Sequence, residues 1–397
     1  MSIRKILFLL TATLSFLFYS CSDAPRNFNS SLLGPDQIDI HSVDSYTGAY
    51  PQRSSSFKTV IPTGSANTLM LGKYKNSFVD QEASILIQWS FYLPDSIKSD
   101  LENNNATIQD GWVELVKTYV FGDTTGTMDF SVHNITTPWT SIGFTSDSLN
   151  SANFKYDNAD ISTQRDVNAD SIHTFHLSTS YLKTSILKSI DSLGDYGMYL
   201  KPTSGNKVIG YQSIVIGSLT QPAIKVVINK PGVYTDTLGF DAYADVSVLN
   251  GNLPKVPSTD IVMQSSLVGQ STIAFDVSSI PSDAIINKAT LILTRDTLNS
   301  MAGDQYSPAI TVYNVADSAS TLIDSTFSSA NITQYDSTYE GIVTGYVQKW
   351  ITTKINQGLV LSPQDGLNGM EIFAFKGSNA TEPWKRPRLV IIYTRKK

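Results

Sequence analysis

The sequence of 397 residues contains a single cysteine, Cys21. One cysteine cannot form a disulfide within the chain, so its domains must be held together by packing and hydrogen bonds alone. A zinc site built from several thiolates is excluded for the same reason. A lipid on Cys21 would exclude a cysteine nucleophile as well.

Charged side chains are also scarce, at 16% of the residues, and the formal net charge is -6. An acidic chain has no general attraction for nucleic acid, whose phosphates require cations, or for an anionic membrane surface. Membrane attachment therefore has to come from a covalent lipid. Hydrophobic residues still make up 41% of the chain, which is enough for packed cores and argues against global disorder.

The sequence lacks the motifs that identify common catalytic sites. It has neither a Gly-x-Ser-x-Gly nucleophile elbow nor a His-Glu-x-x-His zinc motif. His173 and His176 lie three residues apart in a predicted strand, which directs their rings to opposite faces. Residues 365–369 carry oxygen ligands for calcium but lack the alternating pattern of a calcium loop, so a hairpin turn is the better interpretation. We expect no enzyme, no metal and no cofactor.

The start of the chain has the pattern of a secretion signal. Arg4 and Lys5 precede a mostly apolar run, residues 6–19, which is too short for a good membrane-spanning helix. The following Ser20-Cys21 resembles the lipobox of bacterial lipoproteins. The resemblance implies cleavage before Cys21, lipid on that residue, and a place in the outer membrane with exposure at the cell surface. The alternative is an ordinary secretory signal with an incidental cysteine.

Most of the remaining chain has the alternation of apolar and polar residues that is typical of β-strands. Residues 112–116 and 290–294 are clear examples, and residues 85–93 form a run rich in strand-forming residues. Asn250-Gly251 and Asp365-Gly366 are turn signals between such segments. The sequence therefore predicts an all-β protein.

Five segments of the first half match five segments of the second half in the same order. The matched pairs are 86–94 with 271–281, 106–116 with 284–294, 130–135 with 310–315, 197–202 with 358–363 and 221–228 with 386–393. Each half also has one apolar stripe with helical spacing, at 182–193 and at 343–355. We predict two tandem jelly-roll-like β-sandwich modules, each with one short helix.

The boundaries of these parts follow from composition and from the matched segments. Residues 1–20 are the predicted signal peptide, and residues 21–55, which have few apolar runs, are the predicted tether. The first module is predicted at 56–228 and the second at 229–397.

The second module carries further recognisable segments. They are Asp241-Ala242-Tyr243, residues 275–281 and 289–293, the run 347–351 with 356–361, and the closing 386–393. This pattern resembles the DNRLRE-domain family of extracellular β-sandwich modules, some of which bind acidic polysaccharides. Residues 32–36 and 69–74 resemble uncharacterised surface lipoproteins of Bacteroidota. The first resemblance implies the sandwich fold and a ligand class.

Two tryptophans lie in settings that resemble loops, Trp139 and Trp384. An aromatic ring can stack on a sugar face, and Lys385 and Arg386 beside Trp384 suit an acidic sugar. The alternative is that each ring closes the end of a sandwich core, and we prefer this alternative for both. Trp384, Lys385 and Arg386 remain the candidate ligand-binding residues.

Three functions are consistent with these patterns. The first is a non-catalytic binding module for acidic polysaccharide or another surface ligand, attached to the membrane through its N-terminal lipid. The second is a structural or adhesive component of a cell-surface assembly that binds no small ligand. The third is an uncharacterised hydrolase whose carboxylates meet only in space. An exposed groove with aromatic and basic residues would favour the first.

Overall fold

The computed structural model describes residues 38–396 apart from residue 60, residues 168–170 and residues 215–219. The strands in this part of the chain are β1 (Ile38–Val43), β2 (Tyr50–Lys58), β3 (Thr68–Lys75), β4 (Asp80–Trp89), β5 (Thr107–Gly122), β6 (Met128–Asn134), β7 (Ser162–Asp166), β8 (Ile172–Leu177), β9 (Met198–Gly205), β10 (Lys207–Gln212), β11 (Ala223–Lys230), β12 (Tyr234–Gly251), β13 (Asp260–Gln264), β14 (Gly269–Asp276), β15 (Ile285–Thr294), β16 (Ala309–Asp317), β17 (Leu322–Ile323), β18 (Ala330–Tyr335), β19 (Thr338–Ile342), β20 (Leu359–Pro363), β21 (Ile372–Lys376) and β22 (Arg388–Lys396).

Four α-helices lie between these strands in the described residues. They are α1 (Asp95–Glu102), α2 (Ser146–Leu149), α3 (Thr179–Ile190) and α4 (Thr344–Thr353). The last two are the helices that the apolar stripes predict. The first module has two helices beyond its predicted one. None of the helices in the described part of the chain has the length and apolar character needed to cross a bilayer.

The prediction of an all-β fold with two sandwich modules is confirmed. One sheet has 10 strands in the order β10-β3-β4-β12-β11-β5-β8-β7, with β9 beside β4 and β6 beside β9. The other has 12 strands in the order β1-β22-β15-β19-β18-β16-β20-β14-β13-β21, with β2 on β14 and β17 on β16. Strands with one face in a core bury alternate residues, as β11 shows with Ile224, Val226 and Ile228. Strands β13 and β20 are buried along their whole length.

The same pairings recur in both modules, as an internal duplication requires. Strand β9 lies between β4 and β6, with Val132 opposite Leu200. Strand β20 lies between β14 and β16, with Val312 opposite Leu361. These two residue pairs occupy equivalent places in the matched segments. Strand β11 likewise pairs with β5 as β22 pairs with β15.

The two modules exchange strands. Strands β1 and β2 precede the first module in the chain, yet they pair with β22 and β14 of the second. Strand β12 follows the first module, pairs with β11 and β4, and so completes the first sheet. The structure therefore differs from the predicted tether 21–55, whose described part contains β1 and most of β2. It also differs from the predicted boundary at 228/229, because local composition does not encode which distant strand a segment pairs with.

A shared apolar cluster joins the two modules. Met70, Tyr119 and Phe121 from the first module pack with Val262 and Met370 from the second. Each module also has its own core, around Trp89 in the first and around Phe275 in the second. The exchanged strands and the shared cluster together make the described chain one packed unit.

Candidate functional site

Trp384 lies on the protein surface. It belongs to a short 3-10 turn, Pro383–Lys385, where Pro383 fixes the backbone before the ring. The ring is 65% exposed, so the interpretation of Trp384 as a core residue is wrong. The exposed indole face is available to a ligand, as stacking on a sugar requires.

The two cations beside Trp384 are partly engaged with the protein itself. The Nζ atom of Lys385 lies 2.9 Å from Oε1 of Glu382, and its ammonium group holds the pKa of that carboxyl below its usual value. The Nε atom of Arg386 donates to the carbonyl oxygen of Ala380 at 2.8 Å. The predicted residues therefore adjoin one another, but a ligand would have to compete for the Lys385 ammonium.

Trp139 is half-buried, consistent with the preferred core interpretation. Its ring packs edge-on against Phe144 at 5.8 Å, and its Nε1 donates to the carbonyl oxygen of Tyr196 at 2.8 Å. These contacts fix the ring against the first module.

A larger cleft lies in the second module beside helix α4, and we call it the α4 cleft. It has a volume of about 560 Å³ and lies between α4, the end of β14 and the bulged part of β2. Its floor is apolar, formed by Phe275, Ile280, Trp350 and Ile351. The volume falls within the ~300–1,000 Å³ that is usual for small-ligand sites.

Two backbone irregularities place cations at the α4 cleft. Gln52 is the extra residue of a β-bulge, because Arg53 pairs with Ala274 while Pro51 pairs with Phe275. Such a bulge redirects the side chains next to it, and Arg53 lines the cleft. Lys354 is the residue at which helix α4 ends, and it has the left-handed backbone conformation, with φ 58°. Its side chain lines the same cleft.

Neither cation is neutralised by a neighbour. Among the described residues, no ion pair or side-chain hydrogen bond involves Arg53 or Lys354, and both are exposed. The cleft also contains Asp276, whose pKa is lowered because the backbone and side chain of Ser278 donate hydrogen bonds to its carboxylate. The cleft is thus lined by two unpaired cations and by one carboxylate that already accepts hydrogen bonds. This arrangement suits an anionic ligand with an apolar face.

The histidines have ordinary structural partners. On β8, His173 is buried and bonds to the Tyr211 hydroxyl at 2.9 Å, whereas His176 lies on the opposite face at 2.8 Å from Asp110. Strand geometry predicts this separation. In the part of the chain that the structure describes, no group of three or more metal-ligating side chains comes together. The 365–369 segment forms a turn in which Asp365 accepts two hydrogen bonds from Asn368.

Buried carboxylates occur in four places among the described residues, and all are tied to neighbouring groups. Asp245 accepts a hydrogen bond from the Ser213 hydroxyl, and Asp324 forms an ion pair with Lys349.

Two further sets involve strands β13 and β21 or the boundary between modules. Asp260 and Asp296 share the ammonium group of Lys376 at 2.8 and 2.9 Å. Glu371 accepts a hydrogen bond from the Tyr119 hydroxyl at 2.9 Å, and burial raises the pKa of its carboxyl. Both sets stabilise the packing of β13, β21 and the boundary between modules.

Cys21 lies outside the described residues, so its lipidation stays a prediction. Sequence reasoning missed Arg53 and Lys354, because they are 301 positions apart in a chain of 397 and neither lies in a motif. Compared with known proteins, the chain matches no family model, no curated protein and no solved structure.

Proposed function

We propose that this chain is a lipid-anchored cell-surface protein that binds an acidic polysaccharide in the α4 cleft without catalysing a reaction. The observation that carries the proposal is the pair of unpaired cations, Arg53 and Lys354, above an apolar floor. A uronic acid unit would place its carboxylate between the cations and its apolar ring face on the floor. The resemblance of the second module to DNRLRE domains points to the same ligand class.

Trp384 extends the proposed binding surface. A polysaccharide is longer than one cleft, so successive sugar units can contact both the α4 cleft and an exposed ring. Ser54, next to Arg53 on β2, bonds to Ser378 at 3.2 Å in the loop that leads to Trp384. The lipid on Cys21 would hold both features outside the cell.

The test measures binding of the purified protein to alginate, a polyuronate, and to neutral dextran. The wild type should bind alginate and not dextran, and binding should weaken at high salt because the Debye length falls from about 10 Å at 0.1 M to about 3 Å at 1 M. Exposed charge pairs contribute roughly 0.2–1 kcal/mol each. The double variant Arg53→Ala, Lys354→Ala should therefore bind alginate about 2- to 30-fold more weakly.

The matched control is Lys288→Ala. Lys288 is another exposed cation of the second module that lies outside the cleft, and its loss should leave alginate binding almost unchanged. Equal binding of alginate by the wild type and the double variant would contradict the site. If neither polymer binds the wild type, the structural or adhesive function becomes the better account.

A further inference from the structure

A second cavity lies in the first module, between helix α3 and the segment 194–197. It has a volume of about 140 Å³, and α3 lines it with Tyr181, Thr184, Ser185 and Lys188. These positions recur at intervals of three and four residues and so share one face of the helix. Ser185 is only 3% exposed. Thr184 and Lys188 are exposed at the mouth of the cavity, whereas Ser185 is buried inside it.

Three oxygen atoms that line this cavity make no hydrogen bond of good geometry within the protein, although the Ser185 hydroxyl lies near both of the others. They are the Tyr181 hydroxyl, Oγ of Ser185 and Oδ2 of Asp195. Only six buried side-chain nitrogen and oxygen atoms in the described residues lack a partner, and half of them meet here. Buried polar groups in native proteins nearly always have a partner in the protein, in ordered water or in a ligand, so such a concentration favours a site for a polar molecule.

At the equivalent helix position the second module has a large side chain instead of a serine. Helix α3 begins at Thr179 and helix α4 at Thr344, so Ser185 and Trp350 are each the seventh residue of their helix. The Trp350 ring is buried, and its Nε1 donates to Oδ1 of Asn314 at 2.8 Å. A serine in place of a tryptophan therefore leaves the space that forms the cavity.

The other two unpartnered groups also have satisfied counterparts in the second module. Tyr181 corresponds to Tyr346, whose hydroxyl donates to the carbonyl oxygen of Ser328 at 2.8 Å. Asp195, two residues before Gly197, corresponds to Asn356, two residues before Gly358. The Nδ2 atom of Asn356 donates to the carbonyl oxygen of Phe275 at 2.7 Å. The unsatisfied polar cluster is therefore particular to the first module.

The segment that presents Asp195 is rigidly held. Gln88 donates to the carbonyl oxygen of Asp195 at 2.7 Å, and Trp139 donates to that of Tyr196 at 2.8 Å. Gly197 has φ 75°, and a Cβ there would lie 2.1 Å from the carbonyl oxygen of Ile87. The carboxylate is thus positioned before any ligand arrives, which lowers the entropy lost on binding.

We propose that this cavity binds a small neutral polyhydroxylated ligand, of the size of one hexose unit. Ligand hydroxyl groups would donate to Asp195 and accept from Ser185 and Tyr181. The volume is below the ~300 Å³ of sites for larger ligands but several times the ~30 Å³ share of one water molecule. The half-buried Asp195 carboxylate disfavours an anionic ligand, and the Lys188 side chain at the cavity is exposed, where solvent screens its charge. This site therefore differs in specificity from the α4 cleft.

The experiment titrates the full-length protein with D-glucose, D-galactose and D-mannose, with D-glucuronate as the anionic comparison, and detects binding by saturation-transfer NMR. At least one neutral hexose should bind with millimolar affinity, and more tightly than glucuronate. Asp195→Asn, which introduces the residue type of the second module, should weaken hexose binding on the order of tenfold. It should not lower the melting temperature, because it removes a buried unpartnered carboxylate.

Two further variants keep the outcome unambiguous. Ser185→Leu should fill the cavity and abolish hexose binding, whereas Lys354→Ala, in the other module, should leave hexose binding unchanged. Asp195→Asn should in turn leave alginate binding unchanged, so the two sites can fail separately. The proposal is overturned if no neutral hexose binds, if glucuronate binds more tightly than the hexoses, or if Asp195→Asn and Ser185→Leu both bind like the wild type.

Discussion

The Tyr119 hydroxyl joins the two modules, and its removal should destabilise the whole chain. The hydroxyl donates to Oε1 of Glu371 at 2.9 Å and accepts from the backbone N–H of Met370 at 2.9 Å. Tyr119 is 2% exposed and Glu371 is 5% exposed. Tyr119→Phe keeps the ring and deletes only these two hydrogen bonds.

The size of the effect follows from what the variant leaves unpaired. A buried N–H and a buried carboxyl group each lose a partner, at about 1–3 kcal/mol apiece. A cavity of about 240 Å³ borders Tyr119 and Glu371, and water that enters it can satisfy part of the loss. We therefore expect Tyr119→Phe to lower the free energy of unfolding by about 2–3 kcal/mol.

Urea unfolding followed by tryptophan fluorescence measures this difference. Tyr74→Phe is the matched control, because the Tyr74 hydroxyl accepts only one hydrogen bond, from Asn76 at 3.3 Å. Its loss should change the free energy of unfolding by less than about 1 kcal/mol. If Tyr119→Phe is as mild as the control, the hydroxyl does not hold the modules together in this way.

The remaining predictions concern pH, strand exchange, the exposed ring and the anchor. Burial raises the pKa of the Glu371 carboxyl above its ordinary 4.5. The protonated carboxyl therefore contributes its full stability below pH 4.5, and this contribution is lost as the pH rises through the pKa of the folded state. Glu371→Gln should make the free energy of unfolding less dependent on pH over this range. Trypsin cleavage after Lys255 should give fragments that still co-elute on gel filtration, because residues 38–58 are strands of the C-terminal fragment's sheet; fragments that separate without denaturant would contradict the exchange. Trp384→Ala should weaken alginate binding with a melting temperature close to that of the wild type, since an exposed ring contributes little to stability; a large fall in melting temperature would refute its surface role. Cys21→Ser should release the protein from membranes and abolish labelling by a fatty-acid analogue, whereas continued labelling would rule out lipidation at this residue.

Periodicity and repetition in the sequence predicted much of the fold. A strand with one buried face must alternate apolar and polar residues, so β11 and β15 are visible in the chain without any coordinates. The matched segments placed Val132 and Val312 in equivalent strands, and both lie opposite leucines of equivalent strands. Helix α4 was predicted at 343–355 and forms over Thr344–Thr353.

The candidate sites were much less accessible to sequence reasoning. The sequence left Trp384 either in a core, the preferred interpretation, or in a binding site, and only the structure shows that the turn at Pro383 leaves its ring in solvent. Arg53 was placed in a tether, and only the pairing of β2 with β14 brings it to the α4 cleft. Ser185 and Asp195 carry no motif, and only comparison with their counterparts in the second module distinguishes them.

The sequence by itself determined the all-β class, the duplication and the positions of most strands, because each of these depends on the local spacing of apolar residues. The tertiary structure decided which module β1, β2 and β12 complete, since a strand's hydrogen-bonding edge accepts any partner that reaches it in register. It also decided where the unpaired cations and the unpartnered oxygens lie, because burial and the lack of a partner are properties of the packed chain. Both proposed binding sites depend on that second kind of information.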